Sequence, residues 1–270
     1  MNSVNNCPVC ETAEETHQRL KSIALFLSRY AAALLACGTT TIRIEKNVER
    51  IAESYGTTAE VTIFPLHIMM TVWDGDHNHS YTNNERISAG GLNFAQNSSL
   101  STLSWRIADR SLPLPVAERM FKHLVSQPRL NKWLVLILVG FANASFCRLF
   151  NGDAIAMLIV FIATIDGFYL KNKLHSMHVD IRMATIIAGC FSAIIATSGY
   201  VFNLGNTPEI ALATSVLYLV PGIPYINAVS DLIYGHYICS ICRFITAAIL
   251  TGCLALGLIL AILLMDIEFF

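Results

Sequence analysis

The sequence predicts an α-helical integral membrane protein with five transmembrane helices, preceded by a cytosolic α+β domain. Three observations carry this expectation. Of 270 residues, 54% are hydrophobic and only 14% charged, with a mean hydropathy of +0.53, whereas average soluble domains are about one quarter charged. The charge is uneven, since residues 1–132 hold 13 of the 18 Lys+Arg and 12 of the 19 Asp+Glu. From Trp133 onward the uncharged runs lengthen towards the thickness of a bilayer. Neither part has the basic excess that phosphate-backbone binding uses, so nucleic acid is excluded as a partner class.

Residues 1–15 read as a polar N-terminal tail. The start is polar and acidic, without the basic and apolar regions of a signal peptide, so the eight cysteines are expected as reduced thiols. Cys7-Pro-Val-Cys10 and Cys239-Ser-Ile-Cys242 have the CxxC spacing of a four-thiolate zinc site. The pairs stand far apart in the chain and the second abuts an apolar segment, so no metal site is assigned.

The cytosolic α+β domain is placed at residues 16–130, a length that can hold its own core. Leu20, Ile23, Ala24, Leu27, Ala31, Leu34 and Leu35 recur at helical spacing over residues 16–36. A second helix puts Ile44, Val48, Ile51 and Tyr55 on one face and stops at Gly56. Thr58 to Phe64 and Leu66 to Trp73 are rich in β-formers, Pro65 interrupts them, and Asp74-Gly75 signals a turn before a short strand near Ser80 to Thr82. Helices resume from about Leu92 to Arg110 and from Pro115 to Ser126. Trp73-Asp-Gly-Asp-His-Asn-His79 gathers carboxylates and imidazoles, but the same letters suit a solvated hairpin loop, and His175 and His178 read as a wet loop.

Residues 131–270 form the predicted five-helix transmembrane domain, with spans at about 132–150, 153–171, 183–204, 209–233 and 240–265. About twenty residues cross a roughly 30 Å hydrocarbon layer at 1.5 Å per residue. Arg119, Lys122, Arg129 and Lys132 precede span one, Lys171, Lys173 and Arg182 separate spans two and three, and Arg243 precedes span five. The positive-inside rule makes these sides cytoplasmic. The opposite loops are nearly free of Lys and Arg, and Asp266 and Glu268 follow span five, which puts the N-terminus inside and the C-terminus outside.

Two places in this domain invite chemistry. Asp166 lies inside span two, where a carboxylate costs about 2.5 to 3.5 kcal/mol near the bilayer centre. It reads either as a proton or cation site facing a polar cavity or as a hydrogen-bonded packing residue near Gly167. In span four, Pro221, Gly222 and Pro224 break the helix, and such breaks survive only where they line a cavity or are buried in protein. After the break Asn227 and Asp231 share a helical face, with Tyr225 and Ser230 nearby. The new helix N-terminus favours an anionic group, Asp231 can bind an ammonium or carry a proton, and Arg243 can pair with Asp231 or with a substrate carboxylate. The alternative is an interfacial kink closed by an Asp231–Arg243 ion pair. Ala188, Ser192, Ala196 and Ala247, Thr251, Ala255 form small-residue faces suited to close helix packing.

Three stretches resemble the threonine/serine exporter family (ThrE), and within it the N-terminal-half subunit of the split, two-subunit form. The first is Tyr30-Ala-Ala-Ala-Leu-Leu-Ala-Cys-Gly-Thr-Thr-Thr-Ile-Arg43, a small-residue turn between two helices that marks Gly38, Thr39 and Arg43. The second ends in Asn83-Asn-Glu-Arg-Ile87, with Arg86 at the place of a recurrent basic residue. The third is Pro221-Gly-Ile-Pro-Tyr-Ile-Asn-Ala-Val-Ser-Asp231, then Gly235-His236 and Arg243. The resemblance covers nearly the whole chain and implies export of threonine and serine, or of succinate in the split systems, driven by an ion gradient across a bacterial inner membrane. One-chain members carry a second membrane block, which this sequence does not show after Met265, so a separate small multi-helix membrane subunit of the YjjB type is implied, in an oligomeric assembly. No cofactor, metal or catalytic residue is expected. Two other classes were weighed against export. An intramembrane hydrolase conflicts with the contexts of Asp166 and Asp231, and no Gly-x-Ser-x-Gly, HExxH or phosphate-binding loop occurs. A non-transporting sensor or scaffold would bind a metabolite on its cytosolic domain.

Overall fold

The computed structural model describes residues 13–88, 90–128 and 130–266, so Cys7 and Cys10 of the first CxxC, together with Arg129 and Glu268, lie outside the described residues. The described chain is mostly helical, with one three-stranded sheet, and divides into two compact units. The first comprises residues 1–127 and, in addition, Ile226–Arg243; the second comprises Pro128–Tyr225 and the chain from Phe244.

In the first unit, α1 (Ala13–Ala36) and α2 (Thr41–Ser54) are followed by β1 (Thr58–Ile63), β2 (His67–Trp73) and β3 (Ser80–Arg86), then α3 (Phe94–Arg110) and α4 (Leu114–Val125). The strands form an antiparallel meander in the order β1-β2-β3, with Ile63 opposite Ile68 and Trp73 opposite Ser80. Pro65 and Leu66 fall in the first hairpin turn, closed by Phe64 N–H donating to the His67 carbonyl. The third strand runs to Arg86, beyond the expected Thr82, because Asn83 and Asn84 still pair with Met70 and Met69. Its polar letters hide a strand whose alternation shows only against a neighbour.

The central strand turns Ile68, Met70 and Val72 inward, all fully buried. They meet Leu20, Leu27 and Leu34 of α1, Ile44, Val48 and Ile51 of α2, and Leu100, Leu103 and Ile107 of α3. Each such side chain contributes roughly 1.5 to 3 kcal/mol by leaving water. Several polar groups within this core are paired: the Tyr30 hydroxyl donates to the Leu100 carbonyl at 2.8 Å, and Arg50 bonds both Asn47 Oδ1 and Ser104 Oγ while its guanidinium lies 3.7 Å from the Trp105 ring centroid. Asn93 caps α3 by accepting the Gln96 N–H.

In the second unit, α5 (Lys132–Leu149), α6 (Ala154–Ser176), α7 (Ile181–Ala196), the short α8 (Ser198–Val201) and α9 (Pro208–Ser215) lead through a 3-10 turn at Leu217–Leu219 into α10 (Gly222–Ile233); α11 (Tyr237–Leu264) follows. Among the described residues, four helical stretches are long and apolar enough to cross a membrane: Lys132–Leu149, Ala154–Ser176, Ile181–Val201 and Tyr237–Leu264. A fifth crossing exists only if Pro208–Leu219 and Gly222–Ile233 are taken as one broken span, bent by 60°. The bend falls at Pro221, whose missing N–H and fixed φ end the preceding helix. Asn131, Asp153 and Asp180 cap α5, α6 and α7 by accepting the N–H of Trp133, Ala156 and Arg182.

Helix contacts in this unit are built from small residues: Ala156, Ala163, Gly167, Ala188, Ser192 and Ala196 are buried. On α11 the buried positions are Ala247, Leu254, Gly257 and Ala261, and Ala255 is exposed, so the inward face is rotated from the expected Ala247, Thr251, Ala255 line. Gly257 fixes that rotation, because a Cβ there would press on the Ile186 carbonyl and the Cys190 nitrogen. Outward positions are apolar, among them Leu134, Phe141, Leu158, Phe191, Leu256 and Leu263. A continuous apolar exterior of this kind marks a surface made for lipid or for other protein.

Candidate functional site

The turn between α1 and α2 is the small-residue stretch Cys37-Gly-Thr-Thr40. Gly38 adopts φ +84°, a left-handed conformation that glycine reaches without the steric penalty of a Cβ, and an added Cβ would also strike Leu92. The helix that follows begins without help from its own sequence. Thr40 makes no side-chain cap, the first turn of α2 has no acidic residue, and Arg43 sits in that turn against the positive end of the helix dipole.

The missing negative charge arrives from the far end of the chain. Asp231 Oδ1 accepts the Thr41 N–H at 3.2 Å, capping α2 from outside it. One helical turn earlier, Asn227 Nδ2 donates to the Gly38 carbonyl at 2.8 Å, and Arg243 Nη2 donates to the Thr39 carbonyl at 3.1 Å. Three side chains from residues 227–243 thus hold one turn at three points, Gly38, Thr39 and Thr41. They are presented by a helical hairpin in which α10 ends at a left-handed Gly235 (φ +84°), the His236 N–H returns to the Asp231 carbonyl, and α11 starts at Tyr237. The hairpin is closed by Ser240 Oγ donating to the Ala228 carbonyl at 2.7 Å.

Asp231 is fully buried, and its Oδ2 stands 2.9 Å from Arg243 Nη1. An isolated carboxylate at such a place would be prohibitively costly, so the guanidinium is what permits the burial. The two atoms attract as an ion pair but lie off the line that a hydrogen bond requires, so each keeps bonding capacity, and the buried Thr39 hydroxyl beside them has no hydrogen-bond partner among the described residues. A second pair lies next to this one: His236 Nε2 is 3.2 Å from Glu45 Oε2 on α2. Burial pushes the Glu45 carboxyl above its ordinary range; His236 opposes this, and the charges of Asp231 and Glu49 add to it.

Of the residues singled out in the sequence, Gly38, Thr39, Asn227, Asp231, His236 and Arg243 come together in the first unit. The others do not. Arg43 and Arg86 are exposed, Arg86 at the end of β3 beside Leu35 and Pro65. Pro221 is buried in the second unit and Gly222 is exposed, with open space where a Cβ would stand. The Tyr225 hydroxyl pairs with Thr251 Oγ1 at 3.0 Å. Asp166 is exposed midway along α6, on a face shared with Ile155, Leu158, Ile162 and Tyr169, and has no bonded partner among the described residues. Sequence reasoning missed Thr41 and Glu45 as parts of the cluster. The legible signal was the start of α2: a helix with no cap and no acid in its first turn needs a negative group from elsewhere.

Four apolar helices of spanning length among the described residues are those of a multi-pass membrane protein. A family model described as "Putative threonine/serine exporter" matches residues 25–265. The chain belongs to the threonine/serine exporter family. It is 28% identical over 258 residues to "Probable succinate transporter subunit YjjP" of Klebsiella aerogenes, covering 92% of this chain and 95% of the relative. It is 38% identical over 151 residues to the protein of the same name from Escherichia coli K12, covering 54% and 57%. No solved structure matches.

Proposed function

We propose that this chain is one subunit of a secondary-active, proton-coupled exporter of small carboxylate metabolites, either threonine and serine or succinate-like dicarboxylates, and not an enzyme. It acts with a separate small membrane subunit in a bacterial inner membrane, the α+β unit on the cytoplasmic side. Family membership and the printed names of the two relatives support the transport class. The basic residues around spans one, two and five support the orientation.

The observation that carries the mechanism is the buried Asp231–Arg243 pair with bonding capacity to spare. An amino acid matches both halves: its carboxylate replaces Asp231 on Arg243, and its ammonium takes Asp231. A proton competes with that ammonium for the same carboxylate, which is the logic of exchange. A dicarboxylate matches only the arginine half, and Asp231 must then be protonated to leave it. The test is efflux of labelled threonine, serine and succinate from vesicles holding this chain with and without its partner, under an imposed proton gradient. Flux that needs the partner and is lost in Asp231→Asn, with assembly intact, is the expected result.

A second reading is favoured by the bonds to Gly38, Thr39 and Thr41, which make Asp231 a helix cap and the pair a structural joint. Asn at position 231 keeps an oxygen for the Thr41 N–H. Unchanged gradient-driven efflux in Asp231→Asn would therefore select the joint and remove Asp231 from the transport cycle.

A further inference from the structure

A groove of about 710 Å³ lies between α3 and α4 in the first unit, well away in sequence from the Asp231 cluster. Its size is that of a small-molecule site. The two helices face it with residues at three- and four-residue spacing: Ser99, Thr102, Leu103 and Arg106 from α3, and Arg119, Met120 and His123 from α4. The floor is apolar, the rim carries hydroxyls, and the ionisable groups are two arginines and a histidine. None of the described residues that line it is Asp or Glu.

The acids of the two helices, Asp109 of α3 and Glu118 of α4, do not line the groove. The acid of α4, Glu118, directs its charge at Tyr55, whose hydroxyl is pushed up to about 12 by burial first and by Glu118 second. Arg119 Nε donates to the Pro115 carbonyl one turn back, which steadies the side chain and leaves both terminal nitrogens for another acceptor. Arg106 makes no hydrogen bond to a described residue. Two guanidiniums on opposite walls of one concavity repel each other until an anion sits between them, and guanidinium geometry suits oxyanions.

We propose that the α3–α4 groove binds an oxyanion, carboxylate or phosphate, held between Arg106 and Arg119 over the Leu103 and Met120 floor. Such chemistry has two sources, a free metabolite or a phospholipid headgroup. The site is separate from the Asp231 cluster and stands whether or not that cluster transports.

The full chain in nanodiscs of neutral phosphatidylcholine is titrated with succinate and with inorganic phosphate at constant ionic strength, following thermal unfolding and the fluorescence of Trp105, which neighbours Arg106 in the chain. Saturable stabilisation by either anion is expected, weakened about tenfold or more for each of Arg106→Ala and Arg119→Ala and retained in Asp231→Asn. Both arginines are on the surface, so the variants keep the unliganded melting temperature; Arg106→Lys with Arg119→Lys, which keeps the charge, restores part of the binding. Stabilisation that appears only on changing to phosphatidylglycerol discs, and is lost in the alanine pair, assigns the headgroup as the ligand. No response to either anion or to phosphatidylglycerol, or an equal response in the alanine pair, overturns the proposal.

Discussion

The two compact units solve the burial of charge in opposite ways. In the first, Asp231 is fully buried and pinned by Arg243 and Thr41. In the second, Asp166 stands exposed on an apolar helix face with no bonded partner among the described residues. The first unit has a core dominated by large side chains with several polar groups paired inside it, while the second packs helices largely through Ala, Gly and Ser and leaves many of its large side chains outside. A carboxylate that is satisfied internally contributes to its own fold. One that is not leaves its desolvation cost to whatever surrounds the helix, which makes Asp166 the place to look for a function that the isolated chain does not complete.

The sharpest test of this contrast is Arg243→Ala. It leaves Asp231 buried and unpaired, so a loss of about 3 to 5 kcal/mol is expected in denaturant melts of the full chain. Adding Asp231→Ala should recover part of it, and a strictly additive double variant would show that the two residues do not act as a pair. In the second unit the matching lesion is steric. Gly167→Ala places a Cβ against Ser192 Oγ and the Tyr218 hydroxyl, which also bond each other at 2.9 Å. Overpacking of that contact should cost about 1 to 3 kcal/mol by the same melts.

Asp166→Asn breaks the comparison if the comparison is wrong. With no internal partner to lose, its melting free energy in detergent should change by less than about 0.5 kcal/mol, while gradient-driven efflux with the partner present falls. A large loss of stability in detergent would mean that Asp166 is held inside its own unit after all.

The smallest effect is in pH dependence, where the units should slope in opposite directions. Hydrogen bonds from the Asn206 and Ala156 N–H groups hold the Asp153 carboxyl below its ordinary range. Its contribution is therefore present above the unfolded value of about 3.9 and is lost as pH falls through the lowered folded value. Burial raises Glu45 in the first unit, so its contribution is present below the unfolded value of about 4.3 and is lost as pH rises through the raised folded value. Melting against pH should show Asp153→Asn flattening the acid side and Glu45→Gln flattening the window just above pH 4.3. The same slope in both variants would contradict the assigned environments.

Local patterns made much of this architecture readable. The periodicity of Leu20 to Leu35, the stop at Gly56, the β-formers around Pro65 and the break at Pro221 each depend on neighbours within a turn or two. An ion pair between Asp231 and Arg243 was readable too, as one of two alternatives, because two charges in apolar surroundings must find each other. The bond from Thr41 to Asp231 spans 190 residues, and no local rule reports it. The same holds for residues 226–243: their apolar letters look like the edges of two membrane spans, yet they complete the first unit. The outward placement of Asp166 was hidden because α6 is apolar on all sides, so its sequence carries no phase to say which face is inside.

The α10–α11 hairpin has a further consequence, in time rather than in space. It supplies the cap of a helix made 190 residues earlier, and residues 128–225 must be made before it exists. At about 5 to 20 residues per second the wait is on the order of ten seconds. Until then α2 has an uncapped start and the turn at Gly38 and Thr39 has free carbonyls, open to water or to a chaperone. A unit that begins to emerge before the membrane helices is thus finished only after most of them have been made.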